Sequence, residues 1–218
     1  MTLRLKEFYC GPLQNTVILL FDDATRESIL FDPSFGVEKV YEFIQKEHLR
    51  VEKILFTHGH FDHYAGLAFI QSKLTPIPRV GLHAGDLDIW RDGGGSKHFR
   101  VELDIPGDPD ILLINGQKIA LGKSEIEVRH TPGHSPGSVT FHIPDLHTAL
   151  VGDLIFHHSI GRTDLHGGNF QTLKNSVDTQ IFTLPPETML IPGHGPATTV
   201  KEEMENNPFV GLHANFDA

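Results

Sequence analysis

One cysteine, Cys10, stands among 218 residues, so no intramolecular disulfide can form. That excludes a disulfide-stapled scaffold and fits a reducing compartment; Cys10 itself reads as a small packed hydrophobe. No window holds the ~18 to 20 apolar residues needed to cross a bilayer. The start, MTLRLKEFYCGPLQN, has neither the sustained apolar segment nor the small-residue cleavage site of a secretory signal. A cytoplasmic protein is expected, with no membrane partner. Cationic runs are missing too: 18 Lys and Arg against 28 Asp and Glu give a formal charge of −10, which repels a polyphosphate backbone. No nucleic-acid partner is therefore expected, and a small-molecule substrate is. The triple glycine at 93–95 has no GK[ST] after it and no strand before it, which excludes a phosphate-binding loop.

What is present supports an ordinary globular fold. An apolar fraction of 39% over this length can build a substantial core, read here as one domain over residues 1–218. Short runs rich in Val, Ile, Leu and Phe alternate with helical patterns, separated by Gly and Pro. NTVILLF and SILFDP read as paired strands; GVEKVYEFIQKEH reads as a helix presenting Val37, Val40 and Ile44. KILFT reads as a strand, Leu67, Ile70 and Leu74 as one face of a helix, and PRVGLHA as a further strand. From Asp86 to Asp110 the chain is polar and rich in Gly and Pro, which reads as a long mobile excursion. The second half repeats the plan: KIALG, EIEVRHT, SVTFHI, TALVGD and TMLIPGH read as strands. A helix over NFQTLKNSVDTQIF presents Phe170, Leu173, Val177 and Ile181, with Asn169 as N-cap. The whole reads as a strand-rich α/β chain in two similar halves, sheets inside and helices outside.

The chemistry concentrates in Thr57-His58-Gly59-His60-Phe61-Asp62-His63, immediately after KILF. Alternate residues leaving a strand share a face, so His58 and His60 can point one way while Asp62 and His63 reach round the same point. A lone histidine in such a loop reads as a solvated polar residue. Three imidazoles and a carboxylate in seven residues read as a chelate with room for more than one metal. His134 in TPGHSPGS, Asp153 in LVGDLIF and His194 in IPGHGP stand at further predicted strand ends beside glycine, where a rigid sheet presents side chains to a shared cleft.

With THGHFDH, these residues resemble the metallo-β-lactamase superfamily from near the amino terminus to about Gly211. The resemblance implies an αββα sandwich, two mixed sheets with helices on the outer faces and a two-metal site between the sheets. It implies that His58, His60 and His134 hold one metal, Asp62, His63 and His194 the other, and that Asp153 bridges them. Two zinc ions are expected, with iron and manganese as alternatives. GRTD at 161–164, PGHGP and NNPF at 206–209 are similar to short glyoxalase II-type hydrolases, which implies thioester hydrolysis. A secreted β-lactamase usually carries a different residue where Asp153 stands. Full-length glyoxalase II has a helical carboxy-terminal region that helps hold glutathione, whereas 24 residues follow His194 here, so substrate binding mainly by loops is expected.

The implied mechanism follows from charge. Two cations sharing a water bring its pKa from 15.7 to about 7, and the resulting hydroxide attacks a carbonyl that a metal polarises. Asp62 is the candidate catalytic residue, orienting the water as well as binding metal. Asp32 in FDPS reads either as a turn aspartate or as the partner of a ligating imidazole. Arg162 and Asp164 brace the site, face substrate, or form a surface ion pair. His157 and His158 read as solvated loop residues. GRTD also resembles iron-dependent persulfide dioxygenases of the same fold, in which two histidines and the aspartate hold a single iron, so an oxidoreductase stands beside the thioesterase and a lactone hydrolase. A metal-binding module without catalysis is weaker, since no ligand position is lost, and a nuclease is disfavoured by the acidic balance.

Overall fold

The computed structural model describes residues 2–104 and 107–214. Three strands open the chain, β1 (Leu3–Cys10), β2 (Asn15–Asp22) and β3 (Glu27–Phe31), joined as antiparallel neighbours. Helix α1 (Glu38–Lys46) leads to β4 (Arg50–Leu55), short helices α2 (Phe61–Tyr64) and α3 (Leu67–Lys73), β5 (Arg79–His83), α4 (Leu87–Arg91) and β6 (Ile111–Leu113). β3, β4, β5 and β6 pair in parallel, completing a six-stranded sheet in the order β1 to β6. The second half supplies β7 (Lys118–Leu121), β8 (Ser124–His130), β9 (Val139–Ile143), β10 (Thr148–Gly152) and the small hairpin β11 (Ile155–Phe156) and β12 (Ser159–Ile160). Helix α5 (Phe170–Ser176), β13 (Met189–Pro192), β14 (Thr198–Thr199) and α6 (Val200–Asn206) finish it. Its six-stranded sheet runs β14-β13-β10-β9-β8-β7, with β10 and β13 parallel and the other pairs antiparallel.

Period-two alternation distributes these strands over three hydrophobic layers. Along β2, Ile18 and Leu20 face the other sheet, while Val17, Leu19 and Phe21 face the helices. Between the sheets, Phe31, Leu55 and Leu113 meet Val128, Phe141 and Ile191, and Phe31 packs edge-on to Phe141 with centroids 4.9 Å apart. Val40 and Ile44 of α1 and Ile70 of α3 cover the outer face of the first sheet; Leu173, Val177 and Ile181 cover that of the second. Both faces of each sheet are therefore buried, which gives an αββα sandwich.

The structure departs from the sequence reading in three places. The segment from Asp86 is not a structureless excursion: a 3-10 turn (Ala84–Asp86), α4 and a second 3-10 turn (Ser96–Phe99) order its first part. Trp90 anchors it, fully buried against Phe56 and Tyr64 at 5.0 and 4.6 Å, its indole N–H donating to the Gly107 carbonyl at 3.1 Å. Residues 105 and 106 of that reading lie outside the described residues. The helix over 169–182 is α-helical to Ser176 and continues as a π turn over Val177–Ile181. Asn169 does cap it, its side chain accepting from Thr172 N–H at 2.8 Å. Finally, β1, β6 and α6 carry no sequence prediction.

Trp90→Ala should cost about 3–5 kcal/mol, the usual range for emptying an aromatic site in a core. A denaturant midpoint measures it, and a loss under about 1 kcal/mol would mean that the segment after Asp86 is not part of the core.

Candidate metal centre

The candidate ligands leave one edge of the sandwich from four places. After β4, Phe56 and Thr57 carry the chain out to His58 and His60, and α2 starts at once, so Asp62 and His63 sit in its single turn. His134 lies in the loop between β8 and β9, Asp153 directly follows β10, and His194 follows β13. Backbone hydrogen bonds lock this edge: Val139 N–H donates to the Thr57 carbonyl at 2.8 Å, Thr16 N–H to Gly193 at 2.7 Å and Gly193 N–H to Gly152 at 2.9 Å. A side chain at Gly193 would place its Cβ 2.3 Å from Asp153 Oδ1, so only glycine lets the last loop close on the site.

All seven residues come together. Ligand atoms of His58, His60 and His134 form one group, those of Asp62, His63 and His194 another, and His58, His63 and Asp153 a third that overlaps both; within each, the atoms lie within 4.8 Å of one another. Asp153 spans the two outer groups, 3.4 Å from His63 Nε2, 3.7 Å from His194 Nε2 and 3.8 Å from His134 Nε2.

Hydrogen bonding behind the rings fixes where their lone pairs point. His134 Nδ1–H donates to the Arg162 carbonyl at 2.8 Å and His194 Nδ1–H to the Leu13 carbonyl at 3.0 Å, because a carbonyl can only accept. His63 Nδ1–H donates to Asp32 Oδ2 at 3.0 Å. The same carboxylate oxygen takes the Thr57 hydroxyl at 2.6 Å, which leaves that hydroxyl oxygen to accept from His58 Nδ1–H at 3.1 Å. In these four rings the inward Nε2 therefore carries a lone pair when the ring is neutral. His134 Nε2 lies 3.2 Å from His58 Nε2, and His63 Nε2 and Asp153 Oδ1 are buried without a hydrogen-bond partner. Lone pairs aimed at lone pairs and at carboxylates repel unless a cation stands between them. Nitrogen and carboxylate donors at these spacings fit a pair of divalent cations of the zinc or iron kind.

Electrostatics divides the site the same way. Burial, then the neighbouring imidazoles, holds His58 well below the usual histidine range, and burial with His134 takes His60 down to about 3. Burial opposes charge on His63 as well, but Asp62, Asp153 and Asp32 outweigh it and raise its pKa well above 6.5. His194 is raised too, its burial overcome by Asp62 and Asp153. Asp153 falls to about 2, and Asp62 falls as well, because the imidazoles outweigh burial at each carboxylate. His58 and His60 are thus held neutral, whereas the half with Asp62, His63 and His194 is carboxylate-rich and takes protons when no metal is there to take their place.

The residues behind the ligands are only partly those the sequence suggests. Asp32 is buried and accepts from His63, Thr57 N–H and the Thr57 hydroxyl, from a backbone with φ of 48°. Arg162 and Asp164 form a bidentate ion pair at 2.8 Å with both side chains exposed, so what reaches the ligands is the Arg162 carbonyl. Two contributors have no sequence assignment. Asn15 donates to Asp62 Oδ2 at 2.9 Å. Asp86, fully buried, accepts from Gly59 N–H at 2.8 Å, Gly137 N–H at 2.6 Å and the Ser135 hydroxyl at 2.7 Å, joining the His58–His60 loop to the loop of His134. Burial pushes its pKa up against those hydrogen bonds. Asp86 stands at a strand end beside glycine, the signal that marks His134, Asp153 and His194; Asn15 carries no such signal. His157 and His158 stack on each other at 4.0 Å away from the centre. Glu203 beneath them is already held by Thr198, Asn207 and the His158 backbone.

A cleft of about 480 Å³ opens on these ligands; His60, Asp62, His134 and Asp153 line its floor, and Phe61, Ile89, Phe99 and Arg162 are among its walls.

The family profile described as the metallo-beta-lactamase superfamily matches residues 10–194, and the chain belongs to that superfamily. It is 38% identical over 204 residues to a probable metallo-hydrolase, YqgX of Bacillus subtilis (strain 168), covering 92% of this chain and 94% of that one. It is 31% identical over 211 residues to the hydroxyacylglutathione hydrolase GloC of Haemophilus influenzae, covering 90% and 93%. Among solved structures, the BLEG-1 B3 metallo-beta-lactamase superposes with a TM-score of 0.88 at 34% identity, covering 95% and 99%. The di-iron-bound form of TTHA1623 superposes at 0.83 and 34%, covering 94% and 99%.

Two outcomes follow. In Asp86→Asn an amide N–H faces a donor, leaving a buried mismatch of about 1–3 kcal/mol. Affinity for the metal at His58, His60 and His134 should fall roughly 10- to 100-fold, more than at the other position, as read by competition with a chelator; equal weakening at both would contradict the pinning role. The second concerns pH in chelator-stripped protein. Below about pH 6.5 the unfolded chain protonates His58 and His60 while the fold resists, so stability falls on acidification. Above about 6.5 the fold keeps protons on His63 and His194 that the unfolded chain releases, so stability falls on alkalinisation. The melting temperature should peak near pH ~6.5, and a steady rise to pH 8.5 would contradict the assignment of protons.

Proposed function

We propose that the protein is a metal-dependent hydrolase that cleaves an acyl-thioester to a carboxylic acid and a thiol, using two zinc ions held by His58, His60 and His134 and by Asp62, His63 and His194, with Asp153 shared. The observation that carries this is the pairing of two adjacent donor groups with a cleft whose described lining contains no serine, cysteine or lysine to serve as a covalent nucleophile. Water is then the attacking group. A cation pair supplies Lewis acidity for the carbonyl and lowers the pKa of water toward ~7.

The chain's own residues supply position. Asn15 holds Asp62 by its Oδ2, so this carboxylate keeps one orientation at the cleft floor, where it would orient the attacking water by accepting a hydrogen bond from it. Asp32, the Arg162 carbonyl and the Leu13 carbonyl hold His63, His134 and His194 in the tautomers that turn a lone pair inward. The names of GloC and YqgX support hydrolysis. The second donor group, with His63 Nε2 unpartnered, supports a second cation beside the first. Iron is the alternative to zinc at this centre, since TTHA1623 is seen in a di-iron-bound form.

Zinc-loaded protein kept without oxygen should cleave S-lactoylglutathione or a simpler acyl-thioester, and iron-loaded protein given glutathione persulfide should consume no oxygen above background. Rapid oxygen uptake with no thioester cleavage would replace this reading with the dioxygenase; a β-lactam or lactone cleaved in preference would keep the hydrolase and change its substrate. Asp153→Asn should lower bound metal below two per chain and reduce turnover by about 100-fold or more, and full activity with two metals retained would remove Asp153 from its shared position.

A further inference from the structure

The walls of the cleft say more about its substrate than the metal ligands do. Beside the floor, Phe61 and Phe99 lie with ring centroids 5.4 Å apart, and Leu13, Ile89 and Leu165 complete an apolar surface. Phe99 is 54% exposed and Leu13 52%, large apolar side chains left open to water at the mouth of a concave site. Apolar surface of this kind, next to a few fixed polar groups, is how small-molecule sites bind uncharged carbon chains.

The guanidinium and ammonium groups at the same walls are already held by carboxylates, and His98 and His166 supply the other nitrogen groups of the lining away from the candidate ligands. Arg162 is clasped by Asp164 through two hydrogen bonds of 2.8 Å, and Lys97, beside the cleft, is held by Asp92 at 2.6 Å. Asp88 lines the cleft on α4 with no ion pair among the described residues; Arg91, three residues on, is committed to Asp108 at 2.6 and 2.9 Å. Pairing cancels the Arg162 and Lys97 charges and leaves the Asp88 carboxylate without an ion pair on this wall. A glutathione arm carries two carboxylates and one ammonium, and the wall offers those carboxylates no unpaired guanidinium or ammonium group among the described residues.

Resting on the thioester reading above, we propose that the substrate is an acyl-thioester with an aliphatic or aromatic acyl group and an uncharged thiol arm, and that Asp88 discriminates against anionic thiols. Apolar contact with Phe61, Ile89 and Phe99 selects the acyl chain, and charge at Asp88 rejects the carboxylates.

The test compares three substrates on zinc-loaded protein: the acetyl and hexanoyl thioesters of N-acetylcysteamine, which are neutral, and S-hexanoylglutathione. Hexanoyl should exceed acetyl in kcat/KM by about tenfold or more, since each buried methylene contributes a severalfold gain. At low salt the neutral hexanoyl thioester should exceed S-hexanoylglutathione by roughly fivefold; that ratio should shrink as salt screens the charges and shrink again in Asp88→Asn. A steric origin would leave the ratio independent of salt. Equal rates for acetyl and hexanoyl, or a preference for the glutathione thioester at low salt, would overturn the proposal. If no thioester is cleaved, the hydrolytic reading fails separately, and calorimetric binding of the uncleavable thioethers S-hexyl-N-acetylcysteamine and S-hexylglutathione still decides the cleft: tighter binding of the neutral one supports the inference, and equal or reversed affinity overturns it.

Discussion

The structure turns on a repulsion that the fold enforces. His58, His63, His134 and His194 each spend Nδ1–H on an oxygen behind them, so their Nε2 lone pairs converge on each other and on Asp62 and Asp153. Burial removes the water that would otherwise separate these groups. A positive charge is the only group that relieves both the nitrogen-rich and the carboxylate-rich half, and the raised pKa of His63 is the proton's version of that relief.

Holding such an arrangement needs a frame that cannot relax. Parallel strands of one sheet and the β10–β13 pair of the other end at the same edge, and Thr57, Gly152 and Gly193 tie those ends by backbone hydrogen bonds. Behind them, two buried carboxylates divide the positioning. Asp32 orients His63 and, through Thr57, His58. Asp86 ties the loop of His58 and His60 to the loop of His134 without touching a ligand atom. Gly137 lets this happen, since a Cβ there would lie 2.7 Å from the Asp86 carboxyl carbon. The left-handed φ of Asp32 is strain kept at the site that its three accepted hydrogen bonds hold in place.

Much of this was legible in the sequence because the signals were local. Strands such as NTVILLF and TALVG declare themselves by β-branched apolar runs, and the helix over Glu38–Lys46 by the spacing of Val40 and Ile44. The candidate ligands stand out as His or Asp beside glycine at strand ends. What was hidden depends on distant contacts. RDGGGSKHF is polar enough to read as loose chain, yet Trp90 just before it is buried by Phe56 and Tyr64. Asp86 acquires its role only when Gly137, 51 residues away, folds over it. The strand β1 alternates as LRLKEFYC but lies at the sheet edge with few buried residues, and α6 has a polar sequence started by the Thr199 cap on Glu202 N–H. Arg162 shows the converse, a conspicuous side chain whose backbone carbonyl makes the contact with His134.

Geometry and charge together point to a centre that holds two cations and takes up protons without them. Titrating chelator-stripped protein with zinc in buffers of different ionisation heat, near pH 7, measures stoichiometry and proton release together. The account predicts two equivalents per chain, with protons released chiefly on filling the half that contains His63 and His194. Binding of one equivalent or none, or of two with no proton release, would contradict it.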